Sequence, residues 1–398
     1  MISPTTDWPA HTSKTVPWRS AGRGPKEDRM FTEVTTSIPP MIAAEHYALS
    51  PATAALLEAA TVEMATLDAT HGALLGSFET FLLRTESVAS SRIERVNVSM
   101  DDLAKAVAGV KAPKGALETH AATRALRSLV ATTGDGGPIT EGAVLTAHRL
   151  LMADDPTDGR YAGRWRDVQN WIGGSDHSPR GAVHVPPPPE LVEVYMGDLL
   201  AFAGRDDMPA LVLAALVHAQ FESVHPFTDG NGRIGRALIH AVLRRRRVVR
   251  NGVVPIAAAM LADTEKYFSL VNTYRDGHAE PFITYLAHAA LRAAEEAGAS
   301  VRELQTMPAR WRDAVGDRPG AATQTLLGNL VITPVFDAER AATMAGGVSP
   351  STTYAAIERL TVAGVVHEVT TTRRDRVWAA TDVMDEIESL NARLREHP

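Results

Sequence analysis

"HPFTDGNGRIGR", residues 225–236, fits two kinds of phosphate-binding site. Its three glycines have the G-x-G-x-x-G spacing of a dinucleotide-binding turn, which requires a preceding strand and an acidic residue about 20 positions later. The preceding "MPALVLAALVHAQFESV" (208–224) is rich in Ala and Leu and predicts a helix. The following "RRRRVVRNGVV" (244–254) contains no carboxylate. Both requirements fail, so the sequence does not predict a Rossmann fold.

The remaining interpretation is a loop that enters a helix and holds an anion. The stretch from Asp229 to Gly232 can adopt positive φ at low cost, which turns backbone N–H groups toward a ligand, and the helix N-terminus favours phosphate. Arg233 and Arg236 share one face of the first turn and can reach the same polyphosphate. Asp229 is an oxygen ligand suited to Mg²⁺, and His225 can take a proton from a hydroxyl. Each feature alone is ordinary for a loop, but together they predict phosphoryl or nucleotidyl transfer.

The composition is that of a globular protein without thiol chemistry. Of 398 residues, 45% are hydrophobic and 22% charged, the formal net charge is −7, and there is no cysteine. Disulfides, zinc–thiolate sites and thiol nucleophiles are therefore excluded. The net negative charge provides no overall attraction to nucleic acid. Because we find no secretory h-region and no apolar run of membrane-spanning length, we expect a soluble, cytoplasmic protein with no membrane partner.

The patterns along the chain predict an irregular arm, an N-terminal helical region, a helical core, a linker and a C-terminal domain. Their bounds are 1–40, 41–135, 136–300, 301–320 and 321–398. The arm is rich in Pro, Ser, Thr and Gly, and helical spacing of apolar residues begins near residue 50. Within the core, two extended segments between residues 164 and 185 predict a β-hairpin. Core helices are expected at about 141–152, 208–223, 232–247, 263–275 and 280–297. The predicted fold class is mainly α.

The C-terminal domain has the signals of a helix-turn-helix followed by a wing. Asp337 and Ser349 are placed to cap two helices, and "VVHEV" and "RVWAA" would pair as strands. The domain resembles the winged-helix domains of transcription regulators. A DNA reader presents basic residues on its second helix, which here offers only Arg359. Other arginines would lie in the wing: Arg373, Arg374 and Arg376. DNA binding thus stays open beside self-association as a homodimer and recruitment of a target.

The 225–236 stretch resembles the signature of the Fic (filamentation induced by cAMP) family, H-x-F-x-[DE]-G-N-G-R-x-x-R, at every fixed position. "HAQFESV" before it and "GRYAGRWRDVQNWIGG…VHVPPPPELV" further upstream are similar to the helix and the flap that precede the motif in that family. The resemblance covers roughly residues 140–295 and implies a Fic-type helical bundle with a β-hairpin flap.

The resemblance implies AMP transfer from ATP to a Ser, Thr or Tyr hydroxyl of a protein. By position it makes His225 the general base and Asp229 the ligand of Mg²⁺. It assigns five residues to the phosphates of the nucleotide: Gly230, Asn231, Gly232, Arg233 and Arg236. "YFSLVN" (267–272) would border the adenine through Tyr267, although an aromatic at helical spacing is also typical of a core. The target protein would dock on the hairpin at 164–185.

A second resemblance concerns autoinhibition. "SSRIE" (90–94) is similar to the inhibitory motif [ST]-x-x-x-E-[GN] of Fic proteins, with Ser90 and Glu94 at its fixed positions. The resemblance implies that Glu94 pairs with Arg236 and spoils the ATP pose. Arg95 departs from the usual Gly or Asn, which puts the local turn in doubt. The alternative is an ordinary surface glutamate.

Other functions stay open at this stage. Removal of AMP from a modified target and transfer of another nucleotide, such as UMP, fit the same motif. A DNA-binding regulator with a nucleotide-sensing Fic core is a further alternative. His218, Glu222 and His225 are spaced to face one metal ion, but a general base cannot also be a ligand, so zinc is not expected.

Overall fold

A computed structural model describes residues 8–20, 22, 24–70, 75–316, 319–370 and 375–396. The helices are, in chain order, α1 (Lys26–Arg29), α2 (Pro51–Thr70), α3 (Leu75–Ile93), α4 (Met100–Val107), α5 (Lys114–Thr132), α6 (Glu141–Met152), α7 (Val192–Ala203), α8 (Ala210–Val224), α9 (Asn231–Arg245), α10 (Ile256–Met260), α11 (Thr264–Arg275), α12 (Glu280–Val315), α13 (Ala321–Asn329), α14 (Ala338–Met344), α15 (Pro350–Val362) and α16 (Thr381–Glu396). The strands are β1 (Thr12–Pro17), β2 (Glu33–Ile38), β3 (Val335–Asp337), β4 (Val366–Glu368) and β5 (Val377–Ala380). The fold is mainly α, as predicted.

The chain divides into two compact units. The first comprises Met1–Ala59, Ala125–Val248 and Thr264–His288. The second comprises Ala60–Arg124, Val249–Asp263 and Ala289–Pro398. No helix among the described residues is long and apolar enough to cross a membrane.

Helix α8 is the centre of the first unit. Every residue from Ala210 to Val224 is buried, which explains its nearly continuous Ala, Leu and Val sequence. Helix α9 packs against it at Gly235, where an added Cβ would lie 2.5 Å from Glu222 Oε1. The glycine therefore permits close approach of the two helices, and this pair frames the 225–236 loop.

The prediction of an irregular arm over 1–40 is wrong for the described part. β1 and β2 pair antiparallel from Thr12 opposite Ile38 to Pro17 opposite Glu33. The β-branched residues of "TSKTVP" and "EVTTSI" favour strands, and α1 lies in the connection between them. The abundance of Pro and Gly in the connection hid this pattern.

The flap at 164–185 is less regular than the predicted hairpin. Its two sides form a single bridge, Ile172 opposite His184. Gly173, Gly174 and Gly181 all have positive φ, so the chain turns where a ladder would have to continue. The β-hairpin prediction is thus correct for the one antiparallel pair and wrong about the length of the paired strands.

In the second unit, helix α12 corrects the predicted linker at 301–320. Residues up to Val315 are helical, with Pro308 inside the helix. Val301, Leu304 and Trp311 are buried at helical spacing, so this stretch is packed and regular.

The C-terminal elements follow the predicted order. Asp337 accepts the N–H of Arg340 and Ser349 accepts the N–H of Thr352, as N-caps do. β4 and β5 pair antiparallel, and the unpredicted β3 joins the other edge of β5. Arg373 and Arg374 lie outside the described residues. The winged-helix resemblance stays a prediction.

Candidate active site

The loop between α8 and α9 reverses the chain through two left-handed residues. His225 caps α8 with φ 47° and ψ 60° and donates its N–H to the Phe221 carbonyl at 2.8 Å. Gly230 caps α9 with φ 79°. A left-handed conformation costs a non-glycine residue about 1–2 kcal/mol, so the surrounding contacts must hold His225 in place.

Asn231 holds the loop together from inside. Its side-chain oxygen accepts the Phe227 N–H at 2.8 Å and its amide nitrogen donates to the Phe227 carbonyl at 2.8 Å. The residue is 2% exposed. Both ends of the side-chain amide are used within the loop. If Asn231 contributes to an anion hole as predicted, it therefore does so through its backbone N–H.

His148 on α6 supports the same loop and was given no role from the sequence. Its Nδ1 accepts the Gly163 N–H at 2.9 Å, and its Nε2 lies 3.1 Å from the Asp229 carbonyl oxygen. A carbonyl only accepts, so Nε2 carries the proton and the ring is neutral. Burial lowers the pKa of His148 to about 4, and the ring stacks on Phe227 with centroids 3.6 Å apart.

Arg166 and Asn170, in the flap, hold the carbonyls of the loop. Arg166 donates through Nε to the His225 carbonyl and through its backbone N–H to that of Pro226, both at 2.9 Å. Asn170 Nδ2 donates to the Phe227 carbonyl at 2.8 Å. The Arg166 guanidinium also donates to three further carbonyls, those of Val168, Pro187 and Val224. An arginine near a turn is the only sign of this role that can be read from the sequence.

The His225 imidazole is neutral at physiological pH. Its side chain is 17% exposed, and its Nδ1 lies 3.9 Å from Glu222 Oε2. Burial, followed by the positive charges of Arg166 and Arg275, lowers the pKa of His225 to about 3. A neutral imidazole can accept a proton, as the predicted general base requires.

Charged residues collect where α9 begins. The Asp229 carboxylate is 53% exposed, accepts the Gly230 N–H at 2.6 Å and lies 3.7 Å from Arg233 Nη2. The guanidinium of Arg233 is 8% exposed, Arg236 is 1% exposed, and Gly232 is partly exposed in the first turn. Over the described ranges, no three His, Asp or Glu side chains are grouped to hold a metal ion. A Mg²⁺ held by the exposed carboxylate of Asp229 would take other ligands from phosphates and water.

The family model described as Fic/DOC family matches residues 138–243, which contain α6, the flap, α8 and most of α9. This segment is a Fic domain. The chain is 27% identical over 213 residues to a probable protein adenylyltransferase of Aquifex aeolicus, and the match covers 51% of this chain and 58% of that protein. It is 34% identical over 153 residues to the protein adenylyltransferase Fic of Nematostella vectensis, a match that covers 37% of this chain and 32% of that protein.

Similarity of fold extends beyond the Fic domain. The crystal structure of a Fic family protein from Desulfovibrio desulfuricans superposes with a TM-score of 0.55 at 19% identity. The superposition covers 84% of this chain and 97% of that one. At this identity the likeness concerns the fold alone.

Tyr267, predicted to border the adenine in the Fic domain, is a core residue. It is 1% exposed, and its hydroxyl lies 2.8 Å from His218 Nε2. The ring therefore has no surface to offer a ligand, because helical spacing on α11 turns it toward α8. The exposed aromatic of this stretch is Phe268, at 47%.

The "SSRIE" segment lies in the second unit, at the end of α3. Arg95 N–H bonds to the Arg92 carbonyl at 2.9 Å and Val96 N–H to the Ser91 carbonyl at 3.0 Å, which is a Schellman motif. Arg95 has φ 62°, the conformation that Gly or Asn adopts most easily. The departure at Arg95 thus leaves a left-handed turn in place, with Glu94 exposed beside it and Ser90 buried.

Proposed function

We propose that this chain transfers AMP from ATP to a Ser, Thr or Tyr hydroxyl of a protein. The relatives in Aquifex aeolicus and Nematostella vectensis are named probable protein adenylyltransferase and protein adenylyltransferase Fic, and the segment that the Fic/DOC family model matches includes the complete 225–236 motif. The observation that carries the proposal is the position of His225 on the loop that leads to the N-terminus of α9, where Arg166 and Asn170 donate to its backbone carbonyl. A base and an anion-binding helix N-terminus on one loop suit attack of a hydroxyl on a phosphate.

The step is a displacement at the α-phosphorus. His225 takes the hydroxyl proton, the hydroxyl oxygen bonds to phosphorus, and the bond to the pyrophosphate oxygen breaks. The N-terminus of α9 and the guanidiniums of Arg233 and Arg236 would stabilise the negative charge. Mg²⁺, held by Asp229, would supply charge neutralisation on the α- and β-phosphates. Positioning and charge therefore supply most of the rate.

The proposal includes a docking site and a restraint. An extended target segment would lie along the flap at 164–185 and present its hydroxyl to His225. Glu94 would restrain transfer by engaging Arg236, because a carboxylate matches the fork of a guanidinium. The left-handed turn at Arg95, which matches the residue preference of the inhibitory motif, supports this assignment.

The test uses wild-type, Glu94→Gly and His225→Ala proteins incubated with Mg²⁺ and each of labelled ATP, GTP, CTP and UTP. Arg95→Gly is the matched control, because it changes the same turn and keeps the carboxylate. We expect Glu94→Gly to raise protein labelling from ATP above both wild type and Arg95→Gly. Adding His225→Ala to Glu94→Gly should lower the rate by about 10²-fold or more, roughly 3 kcal/mol.

Each part of the proposal has its own contrary outcome. Equal labelling by Glu94→Gly and Arg95→Gly would contradict the inhibitory role of Glu94. Undiminished labelling in the His225→Ala background would contradict the assignment of His225 as the general base. A preference for UTP would change the donor and keep the reaction class.

A further inference from the structure

The flap of residues 164–185 has little regular secondary structure of its own. Apart from the bridge at Ile172 and His184, its two sides do not form a ladder in the described chain. Yet Ser178 and His184 inside it are 0% and 4% exposed. A buried loop needs partners from elsewhere: His184 Nε2 bonds to the Ser223 carbonyl on α8 at 3.0 Å, and the partner of Ser178 lies in the N-terminal segment.

Asp28 makes the most specific of these contacts. Its residue is 0% exposed, and its Oδ1 accepts from Ser178 Oγ at 2.5 Å and from Arg180 Nε at 3.2 Å. A carboxylate is costly to bury unless it is hydrogen-bonded and paired. The contact therefore fixes both the tip of the flap and the end of α1 in one arrangement.

Three further contacts lie along the flap. An added Cβ at Gly24 would lie 2.5 Å from the His177 ring, so only glycine allows this approach. The indoles of Trp18 and Trp171 meet edge to face with centroids 5.6 Å apart. At the base of the flap, the Ser37 N–H donates to the Val185 carbonyl at 2.8 Å.

We propose that the described residues of this segment, 18–20, 22 and 24–37, form an N-terminal clamp that sets the geometry of the flap, with Asp28 as the main positioning residue. The clamp lies outside the matched Fic segment at 138–243. Its effect reaches the reacting loop because Arg166 and Asn170 belong to the flap and hold the carbonyls of His225 and Phe227. As far as the target is concerned, the inference rests on the proposed function.

A preformed flap lowers the entropic cost of docking an extended segment. Loss of Asp28 should therefore weaken capture of the acceptor and leave nucleotide binding unchanged. Asp28→Asn retains an oxygen that accepts from Ser178 and removes the charge facing Arg180. Asp28→Ala removes both interactions, so the two variants form a graded series.

The structural test is amide hydrogen exchange, read by mass spectrometry, on the full chain. In Asp28→Ala we expect exchange in peptides covering 171–185 to accelerate by about tenfold or more, with α8 unchanged. Asp28→Asn should have a smaller effect. Ser178→Ala should reproduce the acceleration, and the double variant should add little, because both changes remove one contact. Glu27→Gln, an exposed neighbour on α1, is the matched control and should have no effect.

Two outcomes overturn the clamp: unchanged flap exchange in Asp28→Ala, or equal acceleration in α8, which would show general loosening. A second readout uses labelled ATP in the Glu94→Gly background. We expect Asp28→Ala to reduce self-labelling severalfold while the Kd for Mg-ATP stays the same; a raised Kd with unchanged labelling also opposes the clamp. If the Glu94→Gly parent does not label at all while the exchange results hold, the proposed function fails and the clamp stands.

Discussion

The 225–236 loop and the 164–185 flap are both irregular, but contacts of very different range hold them. The loop is closed by near neighbours: Asn231 bonds to Phe227, and His225 to Phe221, each four residues away. The tip of the flap is closed by Asp28, which lies 150 residues from Ser178. The loop also has distant partners, His148, Arg166 and Asn170, but these add to a turn that its own near neighbours already close. A flap held from afar can differ between proteins that share the same motif.

The two regions meet at Arg166. Its guanidinium is buried and donates to carbonyls on both sides, those of His225 and Val224 by the loop and that of Pro187 after the flap. Burial lowers its pKa to about 10, so it remains a cation at physiological pH. The hydrogen bonds of this residue connect the flap to the backbone of the base.

The largest effect should come from Arg166→Ala. The change leaves several buried carbonyls without a donor, and each unsatisfied group costs about 1–3 kcal/mol. We expect the free energy of unfolding to fall by at least about 3 kcal/mol, measured by chemical denaturation of the full chain. Arg166→Lys keeps the charge and some donors and should lose roughly half as much. A loss below about 1 kcal/mol for Arg166→Ala would show that loop and flap are not joined here.

The same difference in range explains what the sequence could predict. The motif residues lie within twelve positions, and helices α6, α8 and α11 follow from apolar spacing, so their bounds were predicted to within about two residues. His148 and Arg166 were missed because their partners, Asp229 and His225, are far along the chain. Asp28 was missed for the same reason. For Tyr267 the spacing left a core position and a ligand contact both open, and the structure places its ring in the core.

A smaller effect tests the local character of the loop. Gly230 has φ 79°, and an added Cβ would lie 2.8 Å from Leu151 Cδ2. We expect Gly230→Ala to cost about 2 kcal/mol of unfolding free energy and to leave hydrogen exchange of the flap unchanged. Gly142→Ala on α6 is the matched control, since nothing lies within 4 Å of its added Cβ. It should change stability by between zero and about 1 kcal/mol in the favourable direction. Accelerated exchange at 171–185 in Gly230→Ala would mean that a change at the local turn is transmitted to the flap.

The smallest effect concerns the pH dependence of transfer. With an ordinary pKa near 6.5, only roughly a quarter of His225 would be neutral at pH 6 and the rate would fall accordingly. Burial places its pKa at about 3, so the base is neutral throughout pH 5–8. We therefore expect the single-turnover labelling rate of Glu94→Gly at saturating Mg-ATP to be nearly equal at pH 6 and pH 8.

The lowered pKa of His225 also makes the free energy of unfolding depend on pH. Because the folded pKa of His225 lies below the unfolded one, unfolding takes up a proton at acid pH, so its contribution to stability is complete above about pH 6.5 and declines as the pH falls toward 3. His225→Gln should remove this part of the pH dependence, at most about 1.4 kcal/mol per pH unit. Two results together would show that the imidazole lies in solvent. The labelling rate would titrate near pH 6.5, and the stability of His225→Gln would depend on pH as that of wild type does. The local closure of the loop would then not include the side chain of its base.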